Sequence, residues 1–342
     1  MINRLVWMET DNTYPYRNLA MEEYMTLHVP QGTCILYLWQ NRHTVVIGKN
    51  QNCWRECRVN FLEQESGYLV RRVSGGGAVF HDLGNLNFTF IVGAGDYDVS
   101  RQLDVILEAV RSLGIHAEKT GRNDITVDGR KFSGNAFYRT GDGCYHHGTI
   151  LIRADKENMS RYLNVSKEKL ASKGVTSVKS RVANLCEFKP DITLEEVKSA
   201  LVEAFSKVYG QPAVRMEEGE LPQPDIDART EKFASWQWKY GRKIPFEYEM
   251  EKRFPWGNIQ IQFHVDEGMI QDVNVFSDAM DQEMIGMLAE QLKGCAYAEE
   301  DICRAVKAVG TDAFQAGEYT GADEPQSCRI KEDIMTLVRE SL

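Results

Sequence analysis

The chain has 342 residues, 43% hydrophobic and 26% charged, which is the balance of a folded globular protein and excludes an intrinsically disordered one. Its 40 Lys and Arg against 50 Asp and Glu leave a formal charge of −10, which argues against sequence-independent binding to nucleic acid or anionic membrane while leaving room for a local basic pocket. The length predicts two domains.

Met1 to Trp7 is followed at once by Glu9 and Asp11, so the N-terminus has neither the apolar core of a secretory signal nor the acid-free character of a transit peptide. No stretch reaches the length of a membrane span, and a cytoplasmic protein is expected. The 8 cysteines are scattered. Cys53 and Cys57, the closest pair, read as one helical turn, and neither structural zinc nor a disulfide framework is expected.

Residues 16–27 carry Leu19, Ala20, Tyr24 and Leu27 at helical spacing, which predicts an amphipathic helix with Asn18, Glu22 and Glu23 on its polar side. Residues 33–39 and 44–48 read as the strands of a hairpin joined by Gln40-Asn41-Arg42-His43, with Trp39 an apolar contact. Tyr68-Leu69-Val70 then leads into Arg71-Arg72-Val73-Ser74-Gly75-Gly76-Gly77-Ala78-Val79-Phe80-His81-Asp82, and 86–92 resumes strand alternation. The pattern is strand, glycine turn, strand. Glycines lacking Cβ let a backbone approach a ligand and turn its N–H groups toward an anion, and neighbouring guanidinium groups can fork onto phosphate oxygens. The plain alternative is a hairpin with a glycine bulge.

Residues 99–113 place Leu103, Ile106, Leu107, Val110 and Leu113 on one helical face before Gly114. Residues 124–127 and 131–134 flank the turn Asp128-Gly129, so Lys131 opens a strand directly after a tight turn, and a third strand covers 145–152, near whose start the paired His146 and His147 resemble neither a metal pair nor a triad. Thr193 can cap a helix running to about Tyr209. Residues 219–227 are rich in proline and acidic residues, 231–240 carry Phe233, Trp236 and Trp238, and Gly241 to Pro245 breaks the pattern. The domain boundary is placed there, giving a larger domain over 1–243 and a smaller over 244–342. In the latter, 259–265 alternates, Asp266-Glu267-Gly268 turns, 269–276 supplies a partner strand, and helices are expected at 280–292, 299–309 and 326–340.

The glycine stretch, together with Gly121-Arg122-Asn123-Asp124, Asp128-Gly129-Arg130-Lys131-Phe132-Ser133-Gly134-Asn135-Ala136, His146-His147-Gly148-Thr149, Ser172-Lys173-Gly174-Val175-Thr176-Ser177-Val178 and Ser180-Arg181-Val182-Ala183-Asn184-Leu185, resembles the lipoate-protein ligase family. The likeness continues at Trp236-Gln237-Trp238 and covers most of the chain in order. It implies an α+β fold: a large biotin/lipoate ligase-like catalytic domain with mixed and antiparallel sheets and packed helices, plus a small α+β C-terminal domain that moves relative to it.

Attaching a carboxylic acid to a lysine amine requires an activated acyl group, and a mixed anhydride with AMP is one route. A carboxylate attacking a phosphate then needs fixed positive charge, backbone donors and usually Mg²⁺. No Gly-x-x-x-x-Gly-Lys-[Ser/Thr] occurs, so the phosphate site is not a P-loop. By resemblance, Arg72 and the Gly77-Ala78-Val79-Phe80 backbone hold the adenylate, and Lys131 bridges the acyl carbonyl and the phosphate as the catalytic residue. Asn123 and Asp124 orient the nucleotide, Asp124 being a candidate for Mg²⁺, and Trp39, Ser74, His81 and Lys131 contact lipoate. Read alone, a lysine beside a turn is a solvated charge and an Asn-Asp pair is a turn.

The leading reading is an ATP-dependent lipoate-protein ligase: lipoate and ATP give lipoyl-AMP, and the acyl group passes to a lysine of an apo lipoyl domain of a 2-oxoacid dehydrogenase complex or of the glycine-cleavage H protein. A second is a cysteine-dependent octanoyltransferase or amidotransferase using Cys144, three positions before His147-Gly148; against it, a cysteine opening a buried strand is ordinarily packing. A transferase fed with ready-made lipoyl-AMP and a ligand sensor without turnover complete the set.

Overall fold

The computed structural model describes residues 1–120, 124–164, 182–310 and 326–342. By internal packing the chain divides into two compact units. Met1–Ile47, Cys53–Arg72 and Ala78–Lys239 make the first, and Gly48–Asn52, Val73–Gly77 and Tyr240–Leu342 make the second.

The first unit is built on strands β1 (Arg4–Glu9), β2 (Thr33–Trp39), β3 (Thr44–Ile47), β4 (Tyr68–Arg71), β5 (Val79–His81), β6 (Asn85–Gly93), β7 (Glu118–Thr120), β8 (Asp124–Val127), β9 (Arg130–Arg139), β10 (Gly143–Leu151) and β11 (Ala213–Arg215). Eight of them form a mixed sheet in the order β11-β1-β2-β6-β10-β9-β8-β7, and a small sheet has the order β4-β3-β5. β2 is buried at every position, as a central strand covered on both faces should be. One face of the large sheet is covered by the helices Val99–Ser112 and Leu194–Tyr209, with Leu36, Phe88, Phe90, Ile106, Leu201 and Phe205 in one apolar cluster. Both helices begin at a side-chain cap, the one at Thr193 as expected from the sequence. The Asp98 carboxylate accepts from the Arg101 N–H at 3.0 Å. Thr193 Oγ1 accepts from the Glu196 N–H at 3.2 Å while the Glu196 carboxylate accepts from the Thr193 N–H at 2.8 Å, a reciprocal cap.

Three local expectations are overturned. β2 and β3 do not make a hairpin: β2 pairs with β1 and β6, whereas β3 lies between β4 and β5 in the other sheet. The hairpin alternative for the glycine stretch fails as well: β4 before it is separated from β5 after it by β3, and the strand expected over 86–92 is β6 of the large sheet. The helix Pro15–Leu27 is not amphipathic in the expected sense, since Asn18, Glu22 and Glu23 are buried. Glu23 is held by Arg229 and Lys232 of the helix Gln223–Ala234, each at 2.7 Å, so the packed helix neutralises it. That helix begins inside the proline-rich stretch 219–227, with Pro224 in its first turn, where a missing N–H does no harm.

In the second unit β12 (Tyr248–Phe254), β13 (Gly257–Asp266) and β14 (Met269–Ser277) form an antiparallel sheet with β13 central. Ile259, Ile261 and Phe263 pack with Leu288, Ile302 and Val338 of the helices Gln282–Leu292, Glu299–Ala308 and Gln326–Ser341. The sequence reading passed over β12, although Phe246, Tyr248 and Met250 alternate with Glu247, Glu249 and Glu251; of those three apolar residues only Met250 is buried. The glycine turn is also part of this unit. Gly76, at φ +88°, donates its N–H to the Ala279 carbonyl at 3.1 Å. A Cβ on Gly75 would stand 2.5 Å from the Ala279 oxygen and 2.6 Å from that of Met280. Both glycines thus serve a close backbone crossing, a use that the phosphate reading of the sequence did not contain.

Candidate active site

Lys131 stands just past the turn of the β8–β9 hairpin, where Asp128 and Gly129 both have positive φ, 50° and 71°. Its carbonyl accepts from the Ala183 N–H at 2.9 Å, and the preceding Arg130 pairs with Glu187 at 2.7 Å, so the main chain on either side is pinned. The side chain folds back over Gly134. A Cβ there would lie 2.6 Å from Lys131 Cε and Nζ, so glycine is what leaves the ammonium its seat. From that seat Nζ donates to Asp124 Oδ1 at 2.5 Å, with both residues about one-fifth exposed (21% and 22%).

The register carries this seat across the sheet. Gly134 on β9 donates its N–H to Thr149 Oγ1 on β10 at 3.3 Å, Thr149 lies opposite Asn87 on β6, and Asn87 lies opposite Trp39 on β2. Lys131 and Trp39 therefore stand toward opposite ends of one cross-strand row, separated by three inter-strand steps of about 4.8 Å, or roughly 14 Å. The adjacent row reads Tyr37, Thr89, His147 and Ala136.

The helix Pro15–Leu27 brings Glu22 onto this face. Glu22 Oε1 accepts from Thr89 Oγ1 at 2.7 Å and from His147 Nδ1 at 2.9 Å, and Thr89 Oγ1 in turn accepts from Trp39 Nε1 at 3.0 Å. All four residues are buried, so the carboxylate is the fixed point of a dry polar chain. Sequence reasoning missed it: Glu22 read as solvent-facing, and the two histidines, inside the strand expected over 145–152 and found in β10, read as neither a metal pair nor a triad. The available signal was the alternation Asn85, Asn87, Thr89 against Leu86, Phe88, Phe90 in a strand too apolar for a solvated face.

The two arginines before the glycine turn part company. Arg71 is clamped to the carbonyls of Trp238 and Lys239 at 2.8 to 3.2 Å, and Trp238 Nε1 returns a bond to the Arg71 carbonyl at 2.7 Å. It anchors the helix Trp236–Tyr240 and is not a phosphate fork. Arg72 is buried, with a guanidinium N–H on the Val46 carbonyl at 3.3 Å. Burial lowers it to about 10, opposed by the nearby Tyr145 hydroxyl and Glu22, so it stays charged at neutral pH and belongs to the same polar neighbourhood. His81 on β5 joins it: burial, with Arg72 and His147 close by, drives its imidazole down to about 3 and keeps it neutral.

Of the residues expected from the sequence, Trp39, Arg72 and His81 meet around Glu22 and His147, and Lys131 with Asp124 stands further along the row. Val79 and Phe80 lie on β5 beside His81, the Phe80 ring turned away to stack on Tyr162 at 5.4 Å. Ala78 leads into that strand. Ser74 and Gly77 cluster with the second unit. Asn123 lies outside the described residues, as do Gly121, Arg122 and residues 165–181. Cys144 is on the other face of β10, fully buried in the helix-covered core, and burial pushes its thiol up to about 11. Among the described residues no three His, Cys, Asp or Glu side chains gather as a metal site. Asp124 could share an ion held mainly by other oxygens.

The profile of the lipoyl protein ligase A/B catalytic domain matches residues 14–206, more than half of the chain. The chain belongs to the lipoyl protein ligase A/B family. A second profile, the bacterial lipoate protein ligase C-terminus, matches residues 243–321. Among solved structures, LipL1 of P. falciparum in complex with lipoate is similar at 28% identity and a TM-score of 0.82, over 97% of this chain and 99% of that one. A bipartite lipoate protein ligase from Thermoplasma acidophilum, solved as part of a lipoylation system with its E2 lipoyl domain, is similar at 26% identity and a TM-score of 0.61, over 71% and 99%. A lipoate-protein ligase A bound with ATP shares the fold at 24% identity and a TM-score of 0.60, over 70% and 99%. This family member is accordingly an enzyme of the lipoate-protein ligase type with a mixed α+β fold. Among its described residues no helix is long and apolar enough to cross a membrane.

Proposed function

We propose that the chain is an ATP-dependent lipoate-protein ligase. In the first step the lipoate carboxylate attacks the α-phosphorus of ATP and pyrophosphate leaves; in the second a lysine amine of an apo lipoyl domain or glycine-cleavage H protein attacks the acyl carbonyl and AMP leaves. The observation that carries this reading is the seat of Lys131: an ammonium held over Gly134 at one end of a strand row whose other end is Trp39. An acyl chain lying along the row has its carboxyl end at the cation and its apolar tail against the indole.

In this scheme Lys131 leaves Asp124 for the developing charge on the acyl oxygen and α-phosphate, a task suited to a compact charge on a flexible stem. Arg72, charged though buried, and the peptide groups of Gly77 to Phe80 serve the nucleotide, with Ser74 and His81 on the acid and Asn123 on the nucleotide. Mg²⁺ arriving with ATP would neutralise the departing pyrophosphate, and Asp124 is the carboxylate that could share it. The attacking lysine must first lose a proton, since its ordinary pKa is about 10.4; the adenylate phosphate is the nearest base in the scheme. A soluble cytoplasmic setting suits such acceptors. The thiol mechanism gains no support from Cys144, which faces the core.

ATP–pyrophosphate exchange with lipoate, octanoate and biotin, in wild type and Lys131→Ala, tests the proposal. Lipoate-dependent exchange, reduced at least about a hundredfold in the variant as for loss of a charge-stabilising group, is expected. Transfer from synthetic lipoyl-AMP without exchange would make the enzyme a transferase only, and biotin-dependent exchange would move it to another substrate.

A further inference from the structure

Two buried hydrogen-bond donors beside Trp39 find no acceptor among the described residues. The first is His81 Nε2. Its protonation follows from a chain of fixed partners: the carbonyls of Asn12 and Gln40 accept from Asn18 Nδ2 at 3.1 and 2.8 Å, which fixes that amide. The same Nδ2 stands 3.0 Å from Asn41 and can only share one of its two hydrogens there; an amide nitrogen at that place would set donor against donor, so Asn41 turns Oδ1 to Asn18 and Nδ2 to His81 Nδ1 at 3.2 Å. A ring nitrogen that accepts from an amide carries no proton, so the neutral His81 ring bears its hydrogen on Nε2. The second donor is Asn87 Nδ2. Asn85 Nδ2 donates to Asn87 Oδ1 at 2.9 Å, which leaves the Asn87 N–H groups and Asn85 Oδ1 unused. Reversing both amides would still leave one donor and one acceptor over.

The exposures of His81 and Asn87 are 4% and 1%, so water does not bathe these groups as it would a surface amide. Both residues neighbour Trp39. The His81 and Trp39 rings meet edge to face at 6.4 Å, and Asn87 is the cross-strand neighbour of Trp39. Buried polar groups in folded proteins are nearly always satisfied, so an orphan pair at the end of a substrate row points to a ligand atom that accepts.

We infer that His81 and Asn87 form a specificity site for the distal end of the acyl group, and that they select an acid bearing acceptor sulfurs there over one ending in hydrocarbon. This rests on the ligase reading above. Asn87 lies two inter-strand steps from Gly134, beneath the Lys131 ammonium, or about 10 Å. An extended eight-carbon acid advances about 1.2 Å per bond, so its last carbons reach roughly 8 Å from the carboxyl group. The five-membered dithiolane of lipoate, with sulfurs on the sixth and eighth carbons, is thereby delivered to the two N–H groups. A disulfide sulfur is a weak acceptor, but the comparison is with a methyl or methylene that leaves both donors buried and unpaired. A purely apolar pocket could not draw this distinction, whereas a donor left without its partner can.

The test uses three acids: lipoate, octanoate, and 5-cyclopentylpentanoate, whose ring has the size of a dithiolane without its sulfurs. Exchange kinetics in the full-length wild type should favour lipoate over the carbocyclic acid by roughly tenfold in kcat/KM, with the difference in KM. Asn87→Leu should compress that ratio to about twofold or less and improve the use of octanoate. Equal use of lipoate and the carbocyclic acid by the wild type would overturn the inference whatever the variant does. So would an unchanged ratio in Asn87→Leu that melts as the wild type does. If no acid supports exchange, the ligase reading fails instead, and calorimetric binding of the three acids decides the site by itself: tighter lipoate supports it and equal affinities remove it.

Discussion

Neighbouring residues of β10 belong to two different worlds. His146 points to the helix-covered face, among the rings of Phe88, Phe90 and Phe137, and its Nε2 meets Asn135 Oδ1 at 2.8 Å. His147, one residue on, points to the face that carries Trp39, Thr89 and Glu22. Cys144 and Tyr145 divide in the same way, the thiol into the core and the phenol toward Arg72. Strand alternation alone makes the division. Two residues of identical chemistry one step apart can therefore have unrelated roles, and a motif written as a string of letters hides which is which.

Substitutions on the two faces should separate accordingly. The largest effect on stability is expected on the polar face, from Glu22→Ala, which takes the shared carboxylate away from the Thr89 hydroxyl and the His147 ring. Leaving buried donors unpaired should lower the unfolding free energy by about 2 to 3 kcal/mol in urea titrations, and Glu22→Gln, which keeps an acceptor for Thr89, should recover a good part of it. A loss confined to catalysis, with unchanged unfolding, would break the picture of Glu22 as the fixed point of that face.

Gly134→Ala should do the reverse. A Cβ 2.6 Å from the Lys131 ammonium displaces a flexible chain end and no backbone, so activity in acyl-adenylate formation should fall by about tenfold while the melting temperature barely moves. If activity and melting fell together, the seat would be structural and not catalytic.

The core face is sharpened by pH. Burial holds His146, like His81, at about 3 against an ordinary 6.5. Both rings stay neutral in the fold while the unfolded chain takes up protons, so the stability they contribute is complete above pH 6.5 and is lost as pH falls toward 3. Unfolding followed between pH 7.5 and 4.5 should show this decline, and His146→Asn should have the shallower slope. An equal slope would mean that His146 is not shielded.

The smallest effect belongs to Cys144→Ser. Activity should be kept, with a stability loss of about 1 kcal/mol from placing a hydroxyl among apolar groups. Because burial raises the thiol from 9.0 to about 11, its contribution to stability is intact below pH 9.0 and is lost as pH rises through 11. Loss of activity with the fold intact would reopen the thiol mechanism.

Local chemistry was legible without coordinates. Thr193 with Glu196 fixes a helix start, Asp128-Gly129 fixes the turn that presents Lys131, and the alternation of 259–265 with the turn at 266–268 fixes the central hairpin of the second unit, because each signal acts within a few residues. What depended on distant partners was not legible. Whether β3 pairs with β2 or β4, whether Glu22 meets solvent or His147, and whether Arg71 faces a phosphate or the Trp238 carbonyl are decided by which surface arrives from elsewhere in the chain. Propensity and period state which residues share a face; only packing states what that face is buried against, and for a charged or amide side chain the buried neighbour decides its role.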